Sequence, residues 1–216
     1  MTKHDPCFDR VRRRLIATDR DAALDLLENG LREVPVYRWL IGDEAPSDAY
    51  RWYGEVLFIE CMNGIEGIFD SAGRLTALIA VLGSPSEAGR IDDDLKHRTR
   101  QWVQSIDGFA DRFRELQSKT DEAKVADEAI RVVFALVERG HRGGGTLAEL
   151  VDPVVERAQR LELPVTASTS DPRLSDLYAR KWNCLVRTEF SLTDGPTVWV
   201  QRRDRERPRA APGGVM

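Results

Sequence analysis

The residues whose types and spacing could do chemistry sit in one short run, Gly140-His141-Arg142-Gly143-Gly144-Gly145-Thr146. Before it, from Val132, lies an apolar stretch rich in Val, Phe and Leu, which predicts a buried strand. After it, Leu147, Leu150, Val151, Val154, Ala158 and Leu161 recur at helical spacing and predict an amphipathic helix. The order strand, glycine loop, helix has a chemical use. A helix's first turn leaves N–H groups unpaired, and the helix dipole puts partial positive charge there. Glycines let a backbone approach a ligand closely. The N–H groups of Gly143, Gly144, Gly145 and Thr146, with the fixed charge of Arg142, are therefore candidates for holding a phosphate or diphosphate. The glycines alone fit a plain surface loop equally well. Two phosphate-loop patterns are absent: no Lys completes a G-x-x-x-x-G-K-[ST], and there is no G-x-G-x-x-G.

Arg142-Gly143-Gly144-Gly145-Thr146-Leu147 resembles the acyl-CoA diphosphate loop of the GNAT acetyltransferase superfamily, (Gln/Arg)-x-x-Gly-x-(Gly/Ala). Downstream, Leu163-Pro164-Val165-Thr166-Ala167-Ser168 is similar to the fifth strand of that fold, and Leu177-Tyr178-Ala179-Arg180 to its tyrosine-bearing helix. The segment from Phe190 to Val200 resembles the closing hairpin of a small-molecule subgroup. Upstream, Pro35-Val36-Tyr37-Arg38-Trp39-Leu40 is similar to the stretch after that subgroup's first helix. The chain departs from the pattern at Leu147, where the family usually has Gly or Ala, at Leu174, often Asn, and at Trp182-Asn183, usually Gly-Phe.

The resemblance implies an α/β (α+β) fold: a mixed, mostly antiparallel central sheet flanked by helices. It implies a single domain over residues 10–203, with a flexible N-terminus at 1–9 and a disordered tail at 204–216. The implied activity is acetyl-CoA-dependent N-acetyl transfer to the amine of a small molecule, by direct attack in a ternary complex. Acetyl-CoA is then a co-substrate and no metal is required. Backbone groups of Leu136 and Val137 are expected to pair with the pantetheine arm. Tyr178 is the expected general acid, since its O–H donates and its pKa near ~10 suits a departing thiolate. The general base is open among Glu60, Glu66, Glu138 and a water relay. His141 is expected to shape the turn; His4 and His97 read as incidental. The departures keep a second reading alive, a GNAT-fold protein that binds a ligand or partner without transferring acetyl.

The elements that must position these residues read as follows. A strand is predicted within 11–17, then a helix over 19–32 capped by Thr18. Pro35 ends it, and a short segment carries Tyr37, Trp39 and Leu40. Ser47 or Asp48 caps a second helix reaching Met62, whose aromatics Tyr50, Trp52, Tyr53 and Phe58 read as core or as an acceptor wall. Residues 64–70 and 74–82 read as a hairpin. Residues 84–126 read as a helical insertion between strands 3 and 4. There Ile91-Asp92-Asp93-Asp94 opens a helix, Leu95, Trp102, Ile106, Phe109, Phe113 and Leu116 form one stripe, and Gly108 divides it. Residues 118–128 read as a polar linker. Pro153 is expected to bend the helix after the glycine loop. A helix from Asp171-Pro172 and a terminal hairpin, 184–192 with 197–202, complete the order.

Bulk properties narrow the class. The 216 residues, 42% hydrophobic and 31% charged, suit a globular protein with a substantial core. A net charge of −4 argues against a nucleic-acid surface. Cys7, Cys61 and Cys184 have neither zinc nor disulfide spacing. With no apolar leader and no membrane-length apolar run, a cytoplasmic protein is expected, acting on a small-molecule amine with no membrane and no nucleic-acid partner. Assembly as a homodimer is left open.

Overall fold

Apolar periodicity divides the chain into strands and one-sided helices, as seen in a computed structural model that describes residues 10–83 and 91–204. In chain order the elements are β1 (Val11–Arg14), a 3-10 turn (Ala17–Asp19), α1 (Arg20–Leu31), α2 (Pro35–Ile41), α3 (Ser47–Cys61), β2 (Ile65–Phe69) and β3 (Leu75–Leu82). There follow α4 (Asp93–Ser105), α5 (Phe109–Glu122), β4 (Ile130–Val137), α6 (Thr146–Arg160), β5 (Val165–Thr169), α7 (Pro172–Trp182), β6 (Leu185–Ser191) and β7 (Thr197–Arg203). The strands form one sheet in the order β1-β2-β3-β4-β5-β7-β6. Every neighbouring pair is antiparallel except β4 and β5. This is the expected mixed, mostly antiparallel sheet, with α4 and α5 inserted between the third and fourth strands.

The sheet divides two cores. Along β3, Leu78, Ala80 and Leu82 face one of them, with α1, α3 and the insertion. Ala77, Ile79 and Val81 face the other, with α6 and the end of α7. Side chains of a strand alternate between faces, so a strand buried on both sides needs an unbroken apolar run. Residues 77–82, Ala-Leu-Ile-Ala-Val-Leu, supply it.

Several local expectations are corrected. Thr18 does not cap α1; the Asp19 carboxylate turns back to accept the Ile16 N–H at 2.8 Å. Pro35 begins α2 rather than ending a helix into an irregular segment, because proline at the first helical position gives up an N–H that has no partner there anyway. Neither Ser47 nor Asp48 caps α3, whose flanking residue is Pro46. The insertion divides at Gly108 as expected, but α5 runs on to Glu122, well into the expected linker. Leu161 lies past the end of α6 and is exposed. Pro153 leaves the Glu149 carbonyl without its helical donor, and Arg12 Nη1 fills the vacancy at 2.8 Å. The expected flexible N-terminus at 1–9 and the tail after Asp204 lie outside the described residues.

The insertion is tied down by a polar centre and an aromatic stack. Glu55 of α3 is buried and accepts from Arg98 of α4 at 2.6 and 3.0 Å, and from Arg20 of α1. Trp52 stacks on Trp102 with ring centroids 6.2 Å apart. Among the described residues, no helix is long and apolar enough to cross a membrane.

Candidate active site

β4 and β5 part company after a short contact. They pair only where Ile130, Arg131 and Val132 meet Val165, Thr166 and Ala167. Beyond this β4 continues to Val137 with no strand on that side among the described residues. A bulge accompanies the divergence. Ala80 pairs with Phe134 and Val81 with Val132, so Val133 is an extra residue. Alternation is broken there: Val133 and Phe134 both pack toward the α1–α3 core. Such a bulge bends its strand and disrupts pairing locally. A cleft of about 1060 Å³ fills the gap and reaches both cores.

The glycine loop opens onto this cleft. Gly143 (φ 80°) and Gly145 (φ 85°) are left-handed, a conformation glycine adopts without cost, and Gly145 leads directly into α6. The Gly145 carbonyl accepts from Ala148 and Glu149 at 2.8 and 3.1 Å. The N–H groups of Gly143, Gly144, Gly145, Thr146 and Leu147 meet no acceptor among the described residues. Residues 142–145 are exposed, whereas the Thr146 side chain is buried. Its hydroxyl donates to the His141 carbonyl at 3.0 Å and accepts from Arg10 at 2.9 Å. Thr146 thus pins the loop while the loop's amides stay open.

Two arginines of the loop converge on one acid. Arg142 gives Nη1 to Glu33 at 2.6 Å and Nε to the Val137 carbonyl at 2.9 Å, and Arg139 gives Nε to Glu33 at 2.7 Å. Burial works to raise the Glu33 carboxyl, but the two guanidiniums outweigh it and hold the group below its ordinary value. Arg142 is therefore at the mouth of the site with its charge already partnered.

The ladder distinguishes the two backbone positions expected to face pantetheine. The Glu138 N–H bonds to the Thr76 carbonyl at 2.8 Å. Antiparallel alternation then turns Leu136, opposite Leu78, toward β3, and leaves the backbone of Val137 facing the gap. Leu136 reaches the cleft through its side chain instead.

Tyr178 lies on α7, lines the same cleft and packs on Trp182 with centroids 5.8 Å apart. Burial, then the Cys184 thiol and Asp171, push its phenol up to about 12, so it is a neutral donor at ordinary pH. On the cleft's other side stand Tyr37, Tyr53 and Glu60. Burial raises the Glu60 carboxyl above its usual range, with Arg131 acting against it. Burial also raises both tyrosines, Tyr37 to about 12. The other carboxylates considered as bases stand elsewhere. Glu66 is paired with Arg12 at 2.7 Å, and neither it nor Glu138 lines the cleft.

Solved structures carry the same architecture. The histone acetyltransferase HPA2 and related acetyltransferase of Corynebacterium glutamicum aligns over 93% of this chain and 99% of its own, at 16% identity and a TM-score of 0.64. Arylalkylamine N-acetyltransferase 2 of Aedes aegypti aligns over 92% and 100%, at 11% identity and a TM-score of 0.62. The polyamine N-acetyltransferase of Drosophila melanogaster aligns over 91% and 100%, at 15% and 0.57. The chain has the GNAT fold. No protein-family model and no curated protein matches its sequence.

Within the GNAT fold, the departures fall on the cleft wall. Leu147, Leu174 and Trp182 all line it. Leu147 packs its side chain against the α6 core, which leaves its amide at the open loop. The Trp182 indole donates to Asp152 at 2.6 Å. Three residues of the site escaped sequence reasoning. Arg10 joins β1 to α6 through Thr146 and through Glu149 at 2.9 Å. Glu33 and Arg131 reach the cleft from α1's end and from β4. None stands near the glycine loop in sequence, so only the folded topology reveals them.

Proposed function

We propose that the protein is an N-acetyltransferase that carries acetyl from acetyl-CoA to the amine of a small molecule, by direct attack in a ternary complex. The observation that carries this is the gap between β4 and β5, ending at a loop with five unpartnered amides. Those amides and the dipole of α6 suit a diphosphate. The backbone of Val137 suits an amide-bearing arm laid along the strand edge, and Arg142 can turn from Glu33 to a phosphate. The coenzyme, when bound, supplies the activated acetyl group as a thioester.

The chain's own residues then hold and move protons. Tyr178, neutral and partly buried, donates to the leaving sulfur. Glu60, whose carboxyl is raised, accepts the proton that the amine must lose, directly or through water. Tyr37, Tyr53, Phe113 and Leu116 wall the acceptor end and favour an amine carrying an apolar body. The names of the neighbours, with arylalkylamine, agmatine and polyamine acceptors, support a small amine.

A panel of aryl-alkyl and polyamine acceptors, followed by release of free thiol from acetyl-CoA, tests this reading. Turnover with at least one amine class is expected. The neutralisation of Arg142 by Glu33 favours the second reading, binding without transfer. Tight acetyl-CoA binding with no thiol release from any amine would select it.

A further inference from the structure

A second cavity lies apart from the cleft. It encloses about 260 Å³ and is lined by Arg12, Arg14, Arg157 and Arg160, with Glu66 and Pro153 among its other walls. Residues 12 and 14 share one face of β1, because strand side chains alternate. Residues 157 and 160 share one face of α6, because helix positions three apart are neighbours. The β1 edge and the last turns of α6 therefore each bring two arginines to one space.

The charges in this space are not balanced. Arg12 is fixed by Glu66 at 2.7 Å and by the Glu149 carbonyl that Pro153 leaves open. Among the described residues, the guanidiniums of Arg14, Arg157 and Arg160 have no hydrogen-bond or ion-pair partner. Among the described residues that line the cavity, Glu66 is the one acidic side chain, and it is taken by Arg12. The whole chain carries a net charge of −4, so this concentration is not part of a generally basic surface. Like charges gathered on concave walls focus a positive potential. Guanidiniums answer phosphate oxygens with paired N–H donors. The space is smaller than the roughly 300–1,000 Å³ typical of drug-sized ligands. At about 1.5 Å per helical residue, Arg157 lies roughly 16 Å along α6 from the glycine loop. It is a different place from the coenzyme cleft, and small.

We propose that this cavity is a binding site for a small phosphate-type dianion, held by Arg14, Arg157 and Arg160 around the fixed Arg12. The proposal does not depend on acyl transfer. The chemistry is shared by free phosphate and by a phosphomonoester.

Calorimetric titration of the full chain with inorganic phosphate and with phosphoserine, against chloride at equal ionic strength, tests it. Saturable binding of at least one probe is expected. The Arg157→Gln/Arg160→Gln double variant, altered only at exposed positions, should weaken it at least tenfold. Arg14→Gln, on a different element, should weaken it as well. Arg142→Gln should leave it intact, which separates this cavity from the glycine loop. Tighter binding of phosphoserine would assign an organic monoester, and equal or weaker binding free phosphate. No binding above chloride, binding that survives both sets of cavity variants, or binding lost in Arg142→Gln would overturn the proposal.

Discussion

Burial raises Tyr178 and Glu60, two guanidiniums lower Glu33 against burial, and each shift has a consequence. With its phenol near 12, Tyr178 stays protonated at every pH where the fold is expected to work. Tyr178→Phe should lower kcat by about 10²–10⁴-fold, the usual range for a general acid, with acetyl-CoA affinity unchanged in direct titration. A base must be ionised to act, and the Glu60 carboxyl is raised. Activity should therefore fall as pH drops through that raised value, and Glu60→Gln should remove this acid limb from the kcat/KM profile. Glu33 is the opposite case. Its folded value is lowered, so its contribution to stability is complete above the ordinary carboxylate range and is lost as pH falls through the folded value. Its partners Arg139 and Arg142 are largely exposed, so solvent screening limits the effect. Glu33→Gln should cost about 0.5–1 kcal/mol in urea unfolding at neutral pH, and wild type and variant should converge in acid. The same variant, with one anion fewer beside the loop, should bind acetyl-CoA more tightly. The glycine loop was read from its residue types and Tyr178 from the family likeness of its helix, and both line the cleft. Glu33, Arg10 and Arg131 were not, because nothing in their own neighbourhood marks them.

The start of α6 and the insertion carry the predictions that belong to whole elements. A Cβ at Gly145 would meet no atom within 4 Å, so an alanine there suffers only from its positive φ. Gly145→Ala should destabilise the fold by about 1–2 kcal/mol and weaken acetyl-CoA binding, both read by thermal unfolding with and without the coenzyme. At the insertion, Glu55→Gln leaves Arg98 and Arg20 without their shared anion. A loss of about 1–3 kcal/mol is expected, the range for breaking a charged hydrogen bond. Periodic patterns made most elements readable in advance: the hairpin of β2 and β3, the amphipathic α6 and the divided insertion all follow their stripes. Helix ends were harder. Thr18, Ser47 and Pro35 were read by the commonest role of each residue type, whereas the chain uses Asp19, Pro46 and a proline start.

At the scale of the molecule, the site exists because two parallel strands separate. No residue pattern announces this. Val132-Val133-Phe134-Ala135 is an unbroken apolar run, so the bulge at Val133 leaves no periodic trace in the sequence. The parallel pairing of β4 and β5 joins segments more than thirty residues apart. The family likeness implied the sheet; pairing registers were needed to show where it opens. The central claim is that this opening receives acetyl-CoA with its diphosphate on the amides at the start of α6. A crystal structure of the chain with coenzyme A tests it most directly. The diphosphate is expected within hydrogen-bonding distance of the N–H groups of residues 143–147, with the pantetheine arm along Val137. A diphosphate bound elsewhere, or an empty cleft at millimolar coenzyme, would contradict it.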